Sequence, residues 1–349
     1  MSRFDAVVLG GGPAGCATAM YAARAGLRVA LLERLSFPRP KACGEGLMPA
    51  GVRVLDELGL GETVRALGRP FRGVRYTSRA GRGAEGRFPG AAAGLGVRRE
   101  ELDAALWRAA ASHPNVEAVE RRDDPGAFPA PLLAVCDGGR SRAAQRLGAS
   151  RVEPARRRHG LSARFSGVAD GELVEVFLAP GAEIYVTPLS RGEALVAALF
   201  EQSALTASPE RAYDEALRAS PGLTRLLAGG RRATPLRGFG PLGGRAARVH
   251  GDGWLLAGDA AGALDPILGD GMAAALQTGR LAGQALAAAA QGDPAALAVY
   301  ARRRAALLRP RRWLERAVLR AAARPSASEA LIASLGAFPA AFDALLRLF

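Results

Sequence analysis

Three segments of this 349-residue chain carry glycines at the spacing G-x-G-x-x-G, a pattern that holds the phosphates of dinucleotides. They are Gly10/Gly12/Gly15, Gly81/Gly83/Gly86 and Gly238/Gly240/Gly243. The chemistry requires a strand that delivers the chain into a tight turn and a helix that leaves it with free N–H groups aimed at the anion. Only the first segment has both, because an apolar run, Phe4 to Leu9, precedes it and a helix-forming stretch, Ala14 to Ala25, follows. We expect the other two to be structural turns.

Each glycine of the first turn has its own task. Gly10 needs unrestricted backbone torsions, a side chain at Gly12 would bar the pyrophosphate, and a side chain at Gly15 would hold the helix away from the strand. Pro13 suits the first position of the helix, where its missing N–H is harmless. The predicted phosphate site therefore comprises Gly10, Gly12, Pro13, Ala14 and Gly15.

A carboxylate closes the next strand pattern, which runs from Leu27 to Glu33. Glu33 stands eighteen residues after Gly15. At an offset of about 20 residues such a carboxylate meets a ribose hydroxyl, which fits an adenosine without a 2′-phosphate, as in FAD or NAD. Taken alone, Glu33 would also suit a solvated strand end. We assign Glu33 and its neighbour Arg34 to the predicted cofactor site.

Two further Gly/Asp segments follow strand patterns. They are Cys136-Asp137-Gly138-Gly139-Arg140-Ser141, and Gly258-Asp259-Ala260-Ala261-Gly262 with Asp265-Pro266 and Gly269-Asp270-Gly271. Together with the first turn, in this order and spacing, they resemble the flavoprotein superfamily that contains p-hydroxybenzoate-type aromatic hydroxylases, geranylgeranyl reductases and flavin-dependent halogenases. The resemblance covers roughly residues 3 to 290. It is specific for cofactor and fold, and much less so for substrate.

The resemblance implies that the cofactor is FAD and gives the later segment a role in holding it. Asp259, after Gly258, would hydrogen-bond the ribityl chain, and Pro266, after Asp265, would lie beside the isoalloxazine. The backbone from Gly269 to Met272 would point N–H groups at the flavin N1–C2=O edge. A helix N-terminus there would stabilise the negative charge of reduced flavin.

The resemblance also covers the electron donor. Asp137 and Gly138 resemble a fingerprint associated with both FAD and the nicotinamide donor, and Arg99 matches an arginine that contacts the FAD phosphates or ribityl chain. For Arg99 the alternative is a solvated arginine at a helix start. Because only one turn has the full dinucleotide geometry, we expect NAD(P)H to visit the flavin without a domain of its own. A CxxxxC redox pair, required in disulfide reductases, is missing.

The most informative stretch for subclass is Phe37-Pro38-Arg39-Pro40-Lys41-Ala42-Cys43-Gly44-Glu45-Gly46-Leu47. It resembles the K-x-C-G segment of geranylgeranyl-reductase-like proteins, which lies near the flavin, and parts of it resemble halogenases, whose W-x-W-x-I-P signature is absent. Lys41 and Cys43, beside Gly44, would line the flavin or donate a proton. The alternatives are a surface charge for Lys41 and a small buried filler for Cys43.

These segments require an α/β fold with a Rossmann-type FAD-binding domain that is discontinuous in sequence. Polar and apolar residues alternate from Leu161 to Phe200, which predicts an inserted antiparallel-sheet substrate domain. A helical C-terminal tail completes the chain. The predicted boundaries are 1–70, 95–150 and 245–292 for the FAD-binding domain, 71–94 and 151–244 for the substrate domain, and 293–349 for the tail.

Composition excludes several classes of function. The formal charge is +14, but 46 of the 47 basic residues are arginine, which is typical of a GC-rich coding bias, and Lys41 is the only lysine. We expect no nucleic-acid partner, because no basic stretch is interleaved with stacking aromatics. Three scattered cysteines indicate neither disulfides nor a metal site. No apolar run approaches the ~20 residues of a spanning helix, so a cytoplasmic protein is expected.

The tail is unusually basic for its length. The stretch from Pro294 to Arg324 is predicted to be helical and carries Arg302, Arg303, Arg304, Arg309, Arg311, Arg312, Arg316, Arg320 and Arg324. The favoured interpretation is a solvated helix face that covers the flavin domain. The alternative is a basic amphipathic tail that rests on anionic lipid and makes the protein peripheral to the inner membrane face. The sequence leaves the oligomeric state open.

Three hypotheses of function follow. The leading one is an NAD(P)H-dependent FAD monooxygenase that hydroxylates a hydrophobic phenolic or polyketide-like small molecule of secondary metabolism. The second is a reductase of carbon–carbon double bonds in an isoprenoid or lipid. It is motivated by Lys41-Ala42-Cys43-Gly44 and by Gly262, which stands where many hydroxylases carry histidine. The third is a flavin-binding protein without enzymatic activity.

Overall fold

A six-stranded sheet, here called the nucleotide sheet, forms the core of the fold. The computed structural model describes residues 3–149, 151–152, 157–205 and 208–349. The strands of this sheet lie in the spatial order His250–Gly251, Trp254–Leu256, Leu132–Val135, Ala6–Leu9, Val29–Glu33 and Val116–Glu120. All neighbouring pairs are parallel except the first. The central strand, Ala6–Leu9, is buried along its whole length, as expected when helices cover both faces of a parallel sheet.

Two helices that pack on the nucleotide sheet approach each other closely. They are Pro13–Arg24, which starts at the predicted proline, and Gly271–Ala290. A Cβ atom at Gly279 would lie 2.4 Å from the carbonyl oxygen of Ala14. One helical turn later, a Cβ at Gly283 would meet the carbonyl oxygen of Thr18 at 2.6 Å. Glycine at these two positions therefore brings the two segments with predicted cofactor residues side by side.

The second large sheet, here called the mixed sheet, contains eight strands. Its spatial order is Arg231–Arg232, Arg158–Ser166, Glu193–Glu201, Ala182–Ser190, Val174–Ala179, Gly73–Thr77 and Gly83–Arg87, with Arg237–Phe239 also paired to Arg158–Ser166. The predicted antiparallel pattern holds except between Val174–Ala179 and Gly73–Thr77, which are parallel. This pair is parallel because the chain between the two strands passes through the nucleotide sheet instead of a hairpin.

The remaining elements are short. Gly46–Leu47, Gly94–Val97 and Gly68–Phe71 form a three-stranded antiparallel sheet, and Arg151–Val152 pairs with Arg245–Ala246. The other helices before the C-terminal segment are Pro49–Glu57, Gly61–Arg65, Arg99–Ala111, Arg142–Arg146, Pro209–Arg218 and Pro221–Leu226. Single 3₁₀ turns occur at Pro125–Ala127, Gln202–Ala204, Gly258–Ala261 and Pro266–Leu268. The second and third glycine-rich segments lie in a hairpin and in a loop between strands, as expected of structural turns.

Three helices complete the chain: Ala296–Ala322, Pro325–Ala337 and Pro339–Leu346. The first packs on helix Gly271–Ala290, and the other two pack on strand Gly83–Arg87 of the mixed sheet. In the described part of the chain, no single helix has the length and hydropathy to cross a bilayer. The last two helices meet that test only as a pair bent by 100°. The C-terminal segment thus contacts both large sheets or their helices.

Candidate functional site

The first glycine turn has the geometry that its sequence predicts. Gly10 has a φ of +105°, and a Cβ on it would lie 2.5 Å from the carbonyl oxygen of Cys136. A Cβ on Gly15 would lie only 1.7 Å from the carbonyl oxygen of Gly10. Both positions are therefore closed to any side chain, because backbone atoms that cannot move already occupy the space. They hold strand, turn and helix together.

Gly12 differs from these two glycines, because its side-chain position opens into free space. The nearest atoms to a Cβ there are the guanidinium nitrogens of Arg39 and Arg99, each 3.8 Å away. Gly12 also precedes the N-terminus of helix Pro13–Arg24, whose first N–H groups have no partner within the helix. An open cradle between a helix N-terminus and two guanidinium groups fits a dianionic pyrophosphate. The residues present therefore fit the implied cofactor at this point.

Glu33 is held rigidly beside the turn. It is buried, one carboxylate oxygen accepts the N–H of Gly11 at 2.9 Å, and the other accepts the N–H of Leu35 at 3.1 Å. The ring of Trp107 fills the space where a Cβ on Gly11 would lie. The structure thus brings Glu33 to the turn, as the offset from Gly15 predicts, whereas the neighbouring Arg34 is exposed.

A buried ion cluster fixes the two arginines that border the cradle. Arg99 donates from Nε to Asp103 at 2.7 Å, and Arg39 lies 3.5 Å from the other oxygen of the same carboxylate. Arg39 also lies 3.4 Å from Glu33 and stacks on the ring of Phe37. Asp103 is completely buried. One carboxylate therefore positions both guanidinium groups, and Arg99 is buried, which does not fit the alternative of a solvated arginine at a helix start.

The Lys41 segment lies against this cluster. The Sγ atom of Cys43 accepts from Nη1 of Arg99 at 3.8 Å and from the N–H of Glu45 at 3.3 Å. The like charge of Arg99 and burial lower the pKa of Lys41, while the carboxylate of Asp259 acts in the opposite direction. Lys41 therefore lies within electrostatic reach of residues from both predicted cofactor segments. It is partly buried, and Gly44 is exposed.

Glu45 anchors the Lys41 segment. Its φ is +53°, a left-handed conformation that is strained for a residue with a side chain. Its buried carboxylate accepts the backbone N–H of Arg99 at 2.9 Å and pairs with Arg164 of the mixed sheet at 2.6 Å. Arg164 in turn pairs with Glu100 at 2.7 Å. These contacts hold the strained residue, and with it the position of Lys41 and Cys43.

The Gly258–Asp259 segment closes the site on the side of helix Gly271–Ala290. Gly258 has a φ of +58°, and its N–H donates to the Thr278 hydroxyl at 3.2 Å. Asp259 borders a narrow crevice of about 10 Å³ that Gly271 and Arg304 also line. Arg304 is buried, donates to the carbonyl of Gly262 at 3.1 Å, and leaves its Nε without a partner among the described residues.

Asp265 and Pro266 form a loop that the mixed sheet holds in place. Asp265 accepts the N–H of Ile267 at 3.0 Å and forms a buried ion pair with Arg158, which also pairs with Glu183 at 2.7 Å. Burial raises the pKa of Asp265, and Arg158 acts against that rise. The carboxylate is therefore occupied within the protein. Its contribution to the site is to set the position of Pro266.

The start of helix Gly271–Ala290 is also held by an arginine. Gly269 has a φ of +65°, Gly271 has open space around it, and Met272 is buried. Asp270 is fully buried, and its carboxylate lies 2.6 Å from Nε of Arg311. A side chain on Gly271 would thus meet open space at the helix N-terminus, while the side chain of Asp270 is buried against Arg311.

Asp137 and Gly138 lie at the carboxyl end of strand Leu132–Val135, next to the first turn. The Cα atom of Asp137 is 2.8 Å from the position of a Cβ on Gly10. Gly138 has a φ of +93°, and the following Ser141 caps helix Arg142–Arg146 by accepting the N–H of Ala144. Asp137 is exposed, so it borders the site from outside.

Sequence reasoning missed four residues that shape this site. Arg39, Glu45, Arg304 and Arg311 reach it from outside the glycine motifs. Arg39 and Glu45 flank Lys41 in a segment that already resembled flavin enzymes, and Arg304 and Arg311 lie at helical spacing from apolar residues of their helix. In the described residues, no group of three His, Cys, Asp or Glu is arranged to hold a metal ion.

Comparison with known proteins agrees with this geometry. The FAD binding domain family matches residues 3–120 and 91–312. The menaquinone reductase of Mycolicibacterium smegmatis is 31% identical over 325 residues, which span 81% of this chain and 76% of that protein. Digeranylgeranylglycerophospholipid reductase 1 of Methanopyrus kandleri is 30% identical over 325 residues, which span 83% and 82%.

Solved structures share the fold. A geranylgeranyl bacteriochlorophyll reductase-like protein from Thermoplasma acidophilum superimposes with a TM-score of 0.81 at 22% identity, covering 95% of this chain and 91% of that one. A flavin-dependent brominase superimposes with a TM-score of 0.78 at 22% identity, covering 99% and 98%. The family match agrees with the discontinuous Rossmann-type domain and the Gly12 cradle. The chain therefore belongs to the FAD binding domain family and is an FAD-dependent oxidoreductase of the p-hydroxybenzoate hydroxylase and geranylgeranyl reductase superfamily.

Proposed function

We propose that this oxidoreductase reduces carbon–carbon double bonds of an isoprenoid or lipid substrate. The observation that carries the proposal is the position of the Lys41 segment, in which the sulfur of Cys43 contacts Arg99 beside the Gly12 cradle at 3.8 Å. Relatives of this chain that reduce menaquinone or a digeranylgeranyl phospholipid support the same class of substrate. The proposal reverses the order of the hypotheses drawn from the sequence.

Reduction of an alkene adds a hydride to one carbon and a proton to the other. Bound FAD, once reduced by NAD(P)H, would supply the hydride. The protein must then hold a proton donor on the substrate side and keep water away. Lys41 fits this role, because the neighbouring Arg99 and burial lower its pKa and so make the ammonium a stronger acid.

Cys43 is a second candidate donor in the same segment. Its sulfur is held by the N–H of Glu45 and by Arg99, so its position relative to Lys41 is fixed. Glu45 and Arg164 hold the backbone of the segment from the side of the mixed sheet. We propose that this arrangement orients Lys41 toward the substrate and that Cys43 packs beside it.

NAD(P)H is proposed as the electron donor. Among the residues that the structure describes, only Gly10–Gly15 has a strand, a glycine turn and a helix in the dinucleotide arrangement. A nicotinamide donor would therefore reach the flavin from the solvent side, past the exposed Asp137 and Gly138 region.

Monooxygenation of a hydrophobic phenolic or polyketide-like molecule is the second candidate. It is favoured by the combination of one nucleotide domain with the large mixed sheet. Arg158 of this sheet forms an ion pair with Asp265, which lies in the loop beside the proposed flavin site. The two candidates differ in their use of oxygen. A monooxygenase consumes oxygen with each turnover, whereas a double-bond reductase works without it.

The test uses the FAD-loaded protein reduced by NAD(P)H under anaerobic conditions. Menaquinone and a geranylgeranyl lipid are added separately, flavin reoxidation is followed by absorbance, and products are identified by mass. Two hydrogens located by fragment masses on the isoprenoid chain, and not on a quinone ring reduced to the quinol, support the reductase. Reoxidation only with oxygen, with a hydroxylated product from a phenol, would instead establish the monooxygenase, and no NAD(P)H consumption with any substrate would indicate a binding protein.

The same assay tests the proton donor. Lys41→Met should slow the alkene-dependent reoxidation by about 10² to 10⁴-fold, which is the usual contribution of a general acid. It should leave reduction of the flavin by NAD(P)H unchanged. Cys43→Ala serves as the matched variant in the same segment. If Cys43→Ala abolishes reoxidation and Lys41→Met does not, Cys43 is the donor.

A further inference from the structure

One face of helix Ala296–Ala322 carries a continuous row of basic side chains around a tryptophan. We call Arg302, Arg309, Trp313, Arg316 and Arg320 the arginine stripe. Their spacings of seven, four, three and four residues place them within an arc of about 60° at 100° per residue. All five are exposed. At 1.5 Å per residue the stripe is about 27 Å long.

Contacts on the opposite face fix the rotation of the helix about its own axis. Tyr300, Arg304, Leu308, Arg311 and Leu314 are buried on that face. The hydroxyl of Tyr300 donates to the carbonyl of Leu256 at 2.6 Å, which ties the helix to the nucleotide sheet. Because these contacts lock the helix in one rotation, the arginine stripe faces the solvent. Arg304 and Arg311, which the sequence grouped with the surface arginines, are excluded from it.

The stripe carries positive charge that no salt bridge among the described residues neutralises, although Glu315 interacts electrostatically with Arg316. Eight arginines and one glutamate give this helix a formal charge of +7, half of the +14 of the whole chain. No described residue forms a salt bridge with an arginine of the stripe, whereas Arg75, Arg98 and Arg164 elsewhere are each paired. The one acid of the helix, Glu315, is half-buried, and burial raises its pKa to about 7.

The exposed Trp313 distinguishes this surface from an ordinary solvated helix face. Its side chain is 69% exposed, the largest exposed fraction among the large hydrophobic residues described as exposed. Arginine bias in the coding sequence accounts for arginines on a surface, but it does not account for a tryptophan among them. Indole rings favour the headgroup level of a bilayer, where one edge is apolar and the N–H is hydrated. A nucleic-acid surface would require several stacking aromatics, and the stripe has one.

We propose that the arginine stripe docks the protein on an anionic lipid bilayer, with the helix axis parallel to the membrane and Trp313 at headgroup level. Guanidinium groups bind lipid phosphates in a bidentate fashion, which matches a row of arginines. Arg304 and Arg311 on the buried face of the same helix contact Gly262 and Asp270, so docking places these loops one helix diameter, about 10 Å, from the membrane surface. The inference is independent of the proposed reaction.

The test is vesicle flotation with the FAD-loaded protein. Vesicles of phosphatidylcholine alone are compared with vesicles that also contain phosphatidylglycerol. Arg316→Gln/Arg320→Gln should lower binding to the anionic vesicles about 30-fold, since two arginines at ~1 kcal/mol each amount to ~2 kcal/mol. The matched control, Arg218→Gln/Arg225→Gln, removes the same charge from exposed arginines of other helices and should bind nearly as well as the unchanged protein.

Trp313 gives a second readout. Anionic vesicles should shift the tryptophan fluorescence to the blue, and Trp313→Phe should abolish the shift, because Trp107 and Trp254 are buried. Equal binding to neutral and anionic vesicles would overturn the proposal, as would equal loss in the stripe and control variants. Binding of RNA that the stripe variant loses, with no vesicle binding, would assign the surface to nucleic acid instead. Unchanged flavin absorbance and circular dichroism verify that each variant is folded.

Discussion

Replacement of Arg311 by methionine should destabilise the protein more at alkaline than at acid pH. Arg311 lies 2.6 Å from the carboxylate of Asp270, and both side chains are almost completely buried. Apart from Arg311, no described residue donates a hydrogen bond to either carboxylate oxygen, so Arg311 is the main partner of the charge. Burial raises the pKa of Asp270 to about 7, and Arg311 acts against that rise. The pair thus holds a charge that the fold barely tolerates.

The sign of the pH dependence follows from proton binding. An unfolded aspartate titrates near 3.9, so between about pH 4 and pH 7 the folded state binds more protons at Asp270 than the unfolded state does. Stability due to this group therefore falls as pH rises through that window and is constant above it. At 1.36 kcal/mol per pKa unit, the raised pKa amounts to about 4 kcal/mol over the whole window. Asp270→Asn should remove this part of the pH profile.

Arg311→Met removes the only cation of the pair and raises the pKa of Asp270 further. If the pKa in the variant lies above 8, its stability falls by about 2.7 kcal/mol between pH 6 and pH 8, against about 1.4 kcal/mol in the unchanged protein. The loss caused by Arg311→Met should therefore be about 1.4 kcal/mol larger at pH 8. Part of the loss at both pH values comes from the hydrogen bonds of Arg311 to Gln277 and to the carbonyl of Leu307.

Urea unfolding at the two pH values, followed by circular dichroism, measures this difference. The control is the pair Asp270→Asn and Asp270→Asn/Arg311→Met, in which position 270 does not titrate. The double variant should lose the same free energy at both pH values. An equal loss for the single Arg311→Met at pH 6 and pH 8 would show that Asp270 is already neutral in the folded protein, which would refute the assignment of a buried ion pair.

Three further predictions concern the cradle and the segment beside it. Gly12→Ala should change the free energy of unfolding by about 1 kcal/mol or less, yet weaken FAD binding at least about tenfold, since its Cβ would enter the pyrophosphate space. Gly15→Ala should lower the free energy of unfolding by more than about 3 kcal/mol through its clash with Gly10. Urea unfolding and FAD titration distinguish the two variants. Arg39→Gln should weaken FAD binding by about 10- to 100-fold through loss of a charge-assisted contact, measured by the same titration. Cys43→Ser should retain full FAD affinity, because the hydroxyl accepts the same two hydrogen bonds, and a tenfold loss measured by titration would contradict this.

The glycine turn and its strand and helix could be predicted from the sequence because they depend on neighbours only a few residues away. Gly10, Pro13 and Gly15 are fixed by torsion, by a missing N–H and by contact between adjacent elements. Glu33 could be predicted because a βαβ unit sets its distance from the turn. The structure adds that Gly12 opens between two guanidinium groups, which no spacing reveals, since Arg39 and Arg99 lie 60 residues apart along the chain.

The charge pattern of the C-terminal helix does not show which arginines are buried and which are exposed, whereas the spacing of its apolar residues does. With eight arginines in one helix, charge alone makes every face basic. The buried face is marked by its apolar members, Tyr300, Leu308 and Leu314, and Arg304 and Arg311 share their side of the helix. A guanidinium on an apolar face requires a partner, and the partners are the carbonyl of Gly262 and the carboxylate of Asp270.

The loop from Gly258 to Gly271 is therefore held by arginines from two sources outside the Rossmann motif. Arg158 of the mixed sheet fixes Asp265, and Arg311 of the C-terminal helix fixes Asp270. The backbone between these two aspartates carries Pro266 and the N–H groups that would face the flavin ring. Because each arginine belongs to a different packing unit, a shift of either the mixed sheet or the C-terminal helix would move this loop. Substrate on the sheet and lipid on the helix would thus act on the flavin through the same few residues.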